Sequence, residues 1–224
     1  MNLFEIHPRA ATVSAHIIEG FRLLPVANVS DMMTHHYEAS AQLKPMYDTR
    51  AGNMAGPALT VRTAPADNLL VHKALDLAAP GDIIVVDAEG KTTTAIIGEI
   101  MMNYAAKRKV GGLVIYGAIR DSDELRHSPF PVYALGISPH GPAKDGPGSI
   151  NIPITLGDMP VQPGDLILGD ADGLVCVPRD HAETLLQKTQ EKQQAEERIL
   201  ADIQSGNYDT NWVDERLKSL GYQP

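Results

Sequence analysis

The segment GEIMMNYAAKRKVGGLVIYGAIRD, residues 98–121, decides the fold class of this protein. Its first half, after Gly98, reads as a helix that ends at Gly111-Gly112, because glycine favours helix ends. Its second half contains the apolar run LVIYGAI, which is typical of a strand buried on both faces. The segment therefore predicts a helix followed by a buried strand, with Arg120-Asp121 directly after that strand.

Upstream of this segment the chain shows the same alternation. PALTVRT at 57–63 and IIVVD at 83–87 are predicted strands, and a ProGlyAsp turn leads into the second one. Asp67 and Asn68 can cap a helix that runs between these strands to Leu77. Strands that alternate with helices in this way predict an α/β fold with a parallel sheet.

The second half of the chain is richer in strands. A short strand at 131–135 and a Gly/Pro loop at 138–149 precede a block of short strands that ends at Pro178 and is predicted to be antiparallel. PGDIIVVDAEG at 80–90 recurs in outline as PGDLILGDADG at 163–173. The copies are too far apart for a solenoid repeat, so we expect one local turn-to-strand structure used twice. The domain as a whole is then α+β.

Both ends of the chain are predicted to contain helices. Residues 12–33 read as a helix broken near Pro25, and apolar residues recur at helical spacing from about 180 to 203. No low-complexity linker divides the chain, so we expect one α/β domain at 1–178 and a C-terminal helical arm at 179–224. The contact stripe of the arm is partly polar, which suits packing on a neighbouring subunit.

Composition excludes several classes of protein. A hydrophobic fraction of 43% with 21% charged residues is typical of a globular domain, and no run approaches the roughly 18 apolar residues of a membrane span. The opening MNLFEIHPRA lacks the pattern of a secretion signal, so we expect a cytoplasmic protein. Cys176 is the one cysteine, which excludes an internal disulfide framework and a cysteine-based zinc cage.

The net charge restricts the ligands further. A charge of −9 argues against generic nucleic-acid binding, which requires basic side chains that neutralise phosphates. The same charge repels an anionic substrate unless arginines, helix N-termini or a bound cation reverse the field locally. A metal site would meet that requirement.

Two clusters could supply such a field. Arg120-Asp121 follows a strand, and open α/β sheets bind ligands at the carboxyl ends of strands. Arg120 can hold a carboxylate through its planar guanidinium, while Asp121 offers hard oxygen ligands to Mg²⁺. The alternative is that Asp121 simply caps a helix starting at 122–124. Likewise, Gly98 either lets a ligand approach free N–H groups at a helix start or merely begins a helix with an acidic first turn.

The sequence resembles a known family in these segments and in their order. With 98–121, the matching parts look like those of the class II pyruvate aldolases called 4-hydroxy-4-methyl-2-oxoglutarate aldolases, which share a fold with the RNase E regulator A-like (RraA-like) proteins. The other matching segments are AGPALTVRT (55–63), DNLLVHKAL (67–75), PGDIIVVD (80–87), GSINIPI (148–154) and PGDLILGDADGLVCVP (163–178). The resemblance implies a layered ββα fold of the swivelling-domain type, assembled either as homotrimers or as homohexamers made of two trimers.

The resemblance also implies roles for individual residues. Asp121 would be the direct protein ligand of a divalent cation, Mg²⁺ or Mn²⁺. Arg120 would bind the pyruvyl carboxylate and stabilise the enolate. The N–H groups of Ile100 and Met101, at the helix start opened by Gly98, would cradle the same pyruvyl unit.

Two glutamates complete the implied site. Glu99 stands where the family has an acidic residue that holds metal-bound water. The family takes a second such glutamate from the C-terminal helix of a neighbouring subunit, and Glu196 matches it. Glu196 also lies closer to the centre of the arm's contact stripe than Glu197, at roughly 100° per residue.

The implied activity is divalent-metal-dependent retro-aldol cleavage. The substrates would be 4-hydroxy-4-methyl-2-oxoglutarate or 4-carboxy-4-hydroxy-2-oxoadipate, cleaved to pyruvate and a second 2-oxo acid, with oxaloacetate decarboxylation as a side activity. The alternative is a non-catalytic, protein-binding regulator of the same fold, although such regulators lack the long helical arm. Each of these functions needs neither nucleic acid nor a membrane as partner.

Four features stay open at this point. Asn68 and His72 stand where the family has a similar pair, but a helix cap and an ordinary histidine explain them as well. The 138–149 loop could be a mobile lid or a surface connection. His35-His36 is expected to lie on the surface.

Overall fold

The computed structural model describes residues 3–33, 39 and 41–223; His35-His36 lies outside them. The described residues form helices α1 to α7 and strands β1 to β12. The helices are Ala15–Arg22, Val26–Met32, Leu69–Leu77, Glu99–Lys107, Ser122–His127, Ala182–Ser205 and Asn211–Ser219. The strands are Phe4–Ile6, Lys44–Pro45, Met54–Thr63, Ile83–Asp87, Ala95–Ile97, Gly112–Ile119, Val132–Ile137, Gly148–Ile150, Ile154–Leu156, Met159–Val161, Leu166–Gly169 and Leu174–Val177.

The central sheet has the strand order β1-β8-β3-β4-β6-β7-β2. Strands β3, β4, β6 and β7 are parallel to one another, as the strand-helix alternation predicts. The short strand β5 pairs in parallel with the last residues of β6, beyond the point where β4 ends. The ends of β5 and β6 are therefore adjacent, which brings the residues that follow them together.

The sheet is covered on both faces, so its central strand β4 is apolar up to its last residue. Ile84 and Val86 of β4 pack on the side of α3, α4 and α5, whereas Ile83 and Val85 pack against the block β9 to β12. All four side chains are fully buried. Burial of each one contributes about 1.5–3 kcal/mol, which explains why the run IIVVD carries no polar residue before Asp87.

The block formed by β9 to β12 is antiparallel, as predicted. β9 pairs with β10 and β11 pairs with β12, while β11 also pairs antiparallel with the first half of β3. A third apolar cluster joins β11 and β12 to α1, α2 and the first turns of α6. The helix predicted at 12–33 is indeed interrupted at Pro25, which is the N-cap of α2.

The two ProGlyAsp segments fold alike locally. The carboxylate of Asp82 accepts a hydrogen bond from the Ala79 N–H, and that of Asp165 accepts one from the Gln162 N–H, three residues back in each case. Each turn then enters a strand beside β3, but β4 runs parallel to β3 and β11 runs antiparallel to it. The expected shared local structure is confirmed, and only its direction in the sheet differs.

The C-terminal arm changes character along its length. Leu185 and Leu186 at its start are buried against α1 and α2 of the same chain. Beyond them, large apolar side chains are exposed, including Leu200 at 56% and Trp212 at 59%. Packing of this arm on a neighbouring subunit stays a prediction. In the described part of the chain, no helix combines the length and apolar character needed to cross a membrane.

Candidate active site at the ends of β5 and β6

The site begins where two parallel strands end side by side. Ile97 of β5 pairs with Ile119 of β6, so Gly98 and Arg120 are neighbours although they are far apart in sequence. The Arg120 N–H donates to the Ile97 carbonyl at 3.0 Å, which fixes the two loops against each other. The predicted location of Arg120-Asp121 at a strand's carboxyl end is confirmed, and this is where open α/β sheets bind ligands.

Asp121 is tied to the start of α4. Its Oδ2 accepts a hydrogen bond of 3.0 Å from the Glu99 N–H and lies 3.7 Å from the Arg120 Nε. A Cβ at Gly98 would collide with the same Oδ2 and would approach the Arg120 Cγ to 2.9 Å. The glycine is therefore required for the close approach of these two side chains to the helix, whatever its role toward a ligand.

The interpretation of Asp121 as a cap for its own helix is wrong. Asp121 is the N-cap residue of α5, but its side chain makes no capping hydrogen bond there. Its backbone adopts the left-handed conformation, with φ 55° and ψ 42°, which costs a non-glycine residue about 1–2 kcal/mol. This backbone turn directs the carboxylate toward α4, 22 residues away in sequence, and Oδ1 has no hydrogen-bond partner among the described residues.

The start of α4 offers unused donors beside this carboxylate. The Ile100 and Met101 N–H groups have no hydrogen-bond acceptor within the described chain. The first N–H groups of a helix point along its axis and carry partial positive charge, so they favour an anion. The geometry thus agrees with the predicted role of these two N–H groups, while the Ile100 side chain itself is exposed.

A small cavity of 180 Å³ joins these groups to others that the sequence left open. Ligand pockets for larger molecules span about 300–1,000 Å³, so this one suits a small acid. It contains Asn68, His72 and Lys144 together with Arg120 and Asp121. Its full lining is Asn68, His72, Ile96, Ile97, Gly98, Ile100, Met101, Arg120, Asp121, Pro142 and Lys144.

Asn68 is the clearest case of a residue whose role the sequence concealed. One interpretation of the sequence is that Asn68 caps α3 through its side chain. Asn68 is the N-cap residue of α3, but its side chain makes no hydrogen bond to the first N–H groups of that helix. Its Nδ2 instead donates to the Ile96 carbonyl at 2.8 Å and contacts the Met101 Sδ at 3.3 Å. Its Oδ1 is buried and, within the described chain, has no partner. A buried acceptor without a partner is costly, so this oxygen is a candidate for a hydrogen bond from a ligand or water.

His72 and Lys144 form the basic side of the cavity. Partial burial and the nearby Lys144 ammonium lower the pKa of His72, against a smaller opposing effect of Asp76. His72 is therefore neutral at pH 7, since its pKa falls below the usual value near 6.5. A neutral imidazole can donate or accept a proton, whereas Lys144 provides a fixed positive charge.

The two predicted glutamates do not line this cavity within one chain. The Glu99 side chain is exposed at the start of α4, and only its N–H takes part in the contact with Asp121. Glu196 is part of α6 and faces α2. Its carboxylate binds the Lys192 Nζ at 2.8 Å and accepts a hydrogen bond from the Asn28 Nδ2 at 2.6 Å. These two partners lower the pKa of Glu196. The roles of both glutamates stay predictions.

The donors present fit a cation held by one protein ligand. Asp121 presents one free carboxylate oxygen in a half-exposed position next to the cavity. Across the described ranges no group of three or more His, Cys, Asp or Glu side chains could enclose a metal. A divalent cation here would therefore take most of its ligands from water, substrate or another chain, which Mg²⁺ does readily.

A larger cavity of 590 Å³ lies elsewhere and has weaker chemistry. Five prolines line it, together with Asp165 and Arg179. The carboxylate of Asp165 is already bound by the N–H groups of Gln162 and Arg179. The polar groups of this cavity are largely occupied by contacts within the chain. We therefore place the functional site at the smaller cavity, which Arg120 and Asp121 line.

Comparison with known proteins identifies the family of this chain. The family model described as RraA-like (Aldolase/RraA) matches residues 26–176, which include every residue that lines the 180 Å³ cavity. A relative from Halalkalibacterium halodurans, provisionally named a 4-hydroxy-4-methyl-2-oxoglutarate aldolase, is 39% identical over 188 residues, or 83% of this chain and 89% of the relative.

Solved structures share the fold. An uncharacterized protein from Pseudomonas syringae superposes with a TM-score of 0.78 at 23% identity, covering 88% of this chain and 96% of that one. The RNA-processing inhibitor RraA of Thermus thermophilus gives a TM-score of 0.63 at 32% identity, over 69% and 93% of the two chains. The expected α/β fold is thereby confirmed, and the chain belongs to the RraA-like family.

Proposed function

We propose that this protein is a class II pyruvate aldolase, a carbon-carbon lyase that depends on a divalent metal. It cleaves 4-hydroxy-4-methyl-2-oxoglutarate or 4-carboxy-4-hydroxy-2-oxoadipate to pyruvate and a second 2-oxo acid. The observation that carries the proposal is the convergence of Arg120, Asp121, Lys144 and two free helix N–H groups on one small cavity. Relatives named as aldolases support it.

Substrate binding relies on local positive charge in an acidic protein. Arg120 and Lys144 both line the cavity, and the N-terminus of α4 adds its partial charge. The planar guanidinium of Arg120 can hold the pyruvyl carboxylate by two hydrogen bonds, while the Ile100 and Met101 N–H groups bind the adjacent oxygens. Together they reverse the repulsion expected from a net charge of −9.

Asp121 would hold the cation. A divalent ion there supplies Lewis acidity to the 2-oxo group of the substrate. When the C3–C4 bond breaks, its electron pair moves onto the pyruvyl carbon, and the resulting enolate charge develops beside Arg120. Arg120 thus contacts the same three-carbon unit before and after cleavage, and no lysine Schiff base is required.

The 4-hydroxyl proton must leave during cleavage. We assign Glu99 and, from a neighbouring subunit, Glu196 to the groups that position the proton acceptor. Neither side chain lines the cavity of its own chain, which is consistent with a site that a second subunit completes. We propose a homotrimer or homohexamer, in which the exposed apolar residues of the arm, such as Leu200 and Trp212, become buried.

A regulator without catalysis is the second candidate. The likeness to the RNA-processing inhibitor RraA supports it, since that protein shares both fold and family. The inhibitor matches 69% of this chain and the Thermus thermophilus relative named an aldolase matches 68%, so chain length does not separate the two functions. The charged cavity favours the enzyme.

Pyruvate release tests the choice directly. The protein should release pyruvate from 4-hydroxy-4-methyl-2-oxoglutarate, and more slowly from oxaloacetate, in the presence of Mg²⁺ or Mn²⁺. A chelator should abolish both reactions, and added metal should restore them. Absence of turnover with every 4-hydroxy-2-oxo acid, at saturating metal, would leave the regulator as the better interpretation.

A further inference from the structure

The loop between β7 and β8 brings Lys144 to the cavity, and its backbone is bound on both sides of that residue. On one side the Ala143 N–H donates to the Ala66 carbonyl at 2.8 Å, and the Asn68 N–H donates to the Ala143 carbonyl at 3.1 Å. On the other side Asp145 and Gly146 donate their N–H groups to one carboxylate oxygen. That oxygen is the Oδ2 of Asp67, at 2.6 and 2.9 Å.

Asp67 holds a second element at the same time. Its Oδ1 accepts a hydrogen bond of 2.9 Å from the Leu69 N–H in the first turn of α3. Asn68 and His72, which line the cavity opposite the loop, belong to the start of this helix. The residue is only 3% exposed, so its carboxylate joins two walls of the cavity from a buried position.

The electrostatics agree with an ionised, firmly bound carboxylate. Burial alone would raise the pKa of Asp67, but the three backbone N–H groups and the nearby Lys144 ammonium lower it below its usual value. Hydrogen bonds to an ionised acceptor are stronger than those between neutral groups. The loop is therefore held at a defined distance from α3 rather than resting on it.

We propose that Asp67 is a positioning residue, which fixes Lys144 relative to Asn68 and His72 so that its ammonium meets the substrate. The proposal rests on the proposed function for the part that concerns turnover. An asparagine at 67 can still accept from Leu69, but its NH₂ group would face the N–H donors of Asp145 and Gly146. Loss of both loop contacts would release Lys144 without deleting it.

The chain provides a matched control in Asp165. This residue is 5% exposed and likewise accepts N–H hydrogen bonds from two segments, from Gln162 in the turn before β11 and from Arg179 after β12. It lies in the proline-lined cavity and not in the one with Lys144. D165N thus imposes a similar structural defect, and we expect it to leave kcat/KM within about twofold of wild type when measured below its unfolding temperature.

A double-mutant cycle with K144M is the decisive experiment. D67N should raise KM for 4-hydroxy-4-methyl-2-oxoglutarate by about tenfold, as expected for loss of a hydrogen bond to a charged group, with a smaller change in kcat. In the K144M background the same substitution should change KM by less than about twofold, because the residue it positions is gone. Equal effects of D67N in both backgrounds would overturn the proposal.

Hydrogen exchange separates this proposal from the proposed function. In D67N the Asp145 and Gly146 amides should exchange at least about tenfold faster than in wild type, and D165N should not change them. If the wild type releases no pyruvate, the proposed aldolase activity is wrong, and the exchange of these two amides still tests whether Asp67 holds the loop. Unchanged exchange at 145–146 would refute that contact. If D67N does not fold, D67S, which retains a small acceptor, takes its place in both measurements.

Discussion

Two regions of the molecule differ in how firmly contacts within one chain fix them: the 180 Å³ cavity at the ends of β5 and β6, called the cleft below, and the arm that carries Glu196. In the cleft, Asp121, Arg120 and the start of α4 are fixed by short contacts between elements of the same domain. Among the described residues, side-chain polar contacts between the arm and the rest of the domain extend only as far as Glu196, and large apolar residues beyond it are exposed. A single chain thus holds the residues proposed to bind the pyruvyl unit close together, and the proposed role of Glu196 requires a second subunit.

The largest effect should come from the cleft itself. We expect D121N to lower kcat/KM for pyruvate release by at least about a hundredfold, because it replaces the charged carboxylate ligand of the proposed cation with a neutral amide. Asparagine is preferable to alanine since it tolerates the left-handed backbone at 121. Steady-state kinetics at saturating Mg²⁺ measure the loss. D123N, an exposed neighbour outside the cavity, should retain full activity; undiminished turnover by D121N would contradict the assignment.

The next largest loss of catalytic efficiency is expected from substitution of Arg120. R120K keeps the charge but replaces a planar, two-pronged donor with a point charge, so we expect a fall in kcat/KM of about a hundredfold. The matched control is R126K, since Arg126 lies in the last turn of α5 and outside the cavity. A fully efficient R120K enzyme would show that a simple cation suffices at this position.

The arm can be tested by complementation. E196Q should reduce kcat/KM by about 10–100-fold, and E197Q, its neighbour on the same helix, should have little effect. If sites form between subunits, mixing unfolded D121N and E196Q chains and refolding them together should restore activity, because some sites then pair an intact cleft with an intact Glu196. A mixture no more active than its components would place Glu196 outside the site.

Acid stability should show the smallest difference between the two regions. Asp67 and Glu196 both have lowered pKa values in the fold. Each therefore stabilises the protein above the usual carboxyl pKa near 4, and this contribution is lost as the pH falls through the folded-state value. Molar salt should weaken the contribution of half-exposed Glu196, which depends on Lys192, and spare that of buried Asp67, which is bound by backbone N–H groups.

Urea unfolding between pH 5 and pH 2 in low and high salt measures this. D67N should flatten the acid loss of stability at both salt concentrations, whereas E196Q should do so only at low salt. Equal salt sensitivity of the two variants would mean that Asp67 is held by charge alone.

The sequence predicted the elements that long periodic or apolar runs define. Strands β4 and β6 and helices α3, α4 and α6 were found in this way, because burial on two faces or along one stripe leaves a clear pattern. The short strands β1, β2 and β5 were not predicted, since two or three residues carry no period. Their pairing depends on contacts with distant parts of the chain.

The residues of the candidate site also fall into two groups, those that a local sequence pattern identifies and those that only contacts in the fold identify. Arg120 and Asp121 could be found from their position after a strand, and Gly98 from its position before a helix. Asn68 could not, because the residue types that cap helices are also those that bind ligands, and only the lack of a capping bond tells them apart. Lys144 lies on a loop whose next two residues, Asp145 and Gly146, bind the Asp67 carboxylate, and such a contact between distant residues leaves no local pattern in the sequence.

The contact between Gly98 and Asp121 has a consequence for how related chains diverge. A side chain at 98 and a carboxylate at 121 compete for one volume, so position 98 is restricted to glycine while position 121 keeps its carboxylate. Among relatives that have become pure regulators, loss of the acid should release the glycine as well. The pair would then vary together, and a tally of these two columns could sort catalysts from inhibitors.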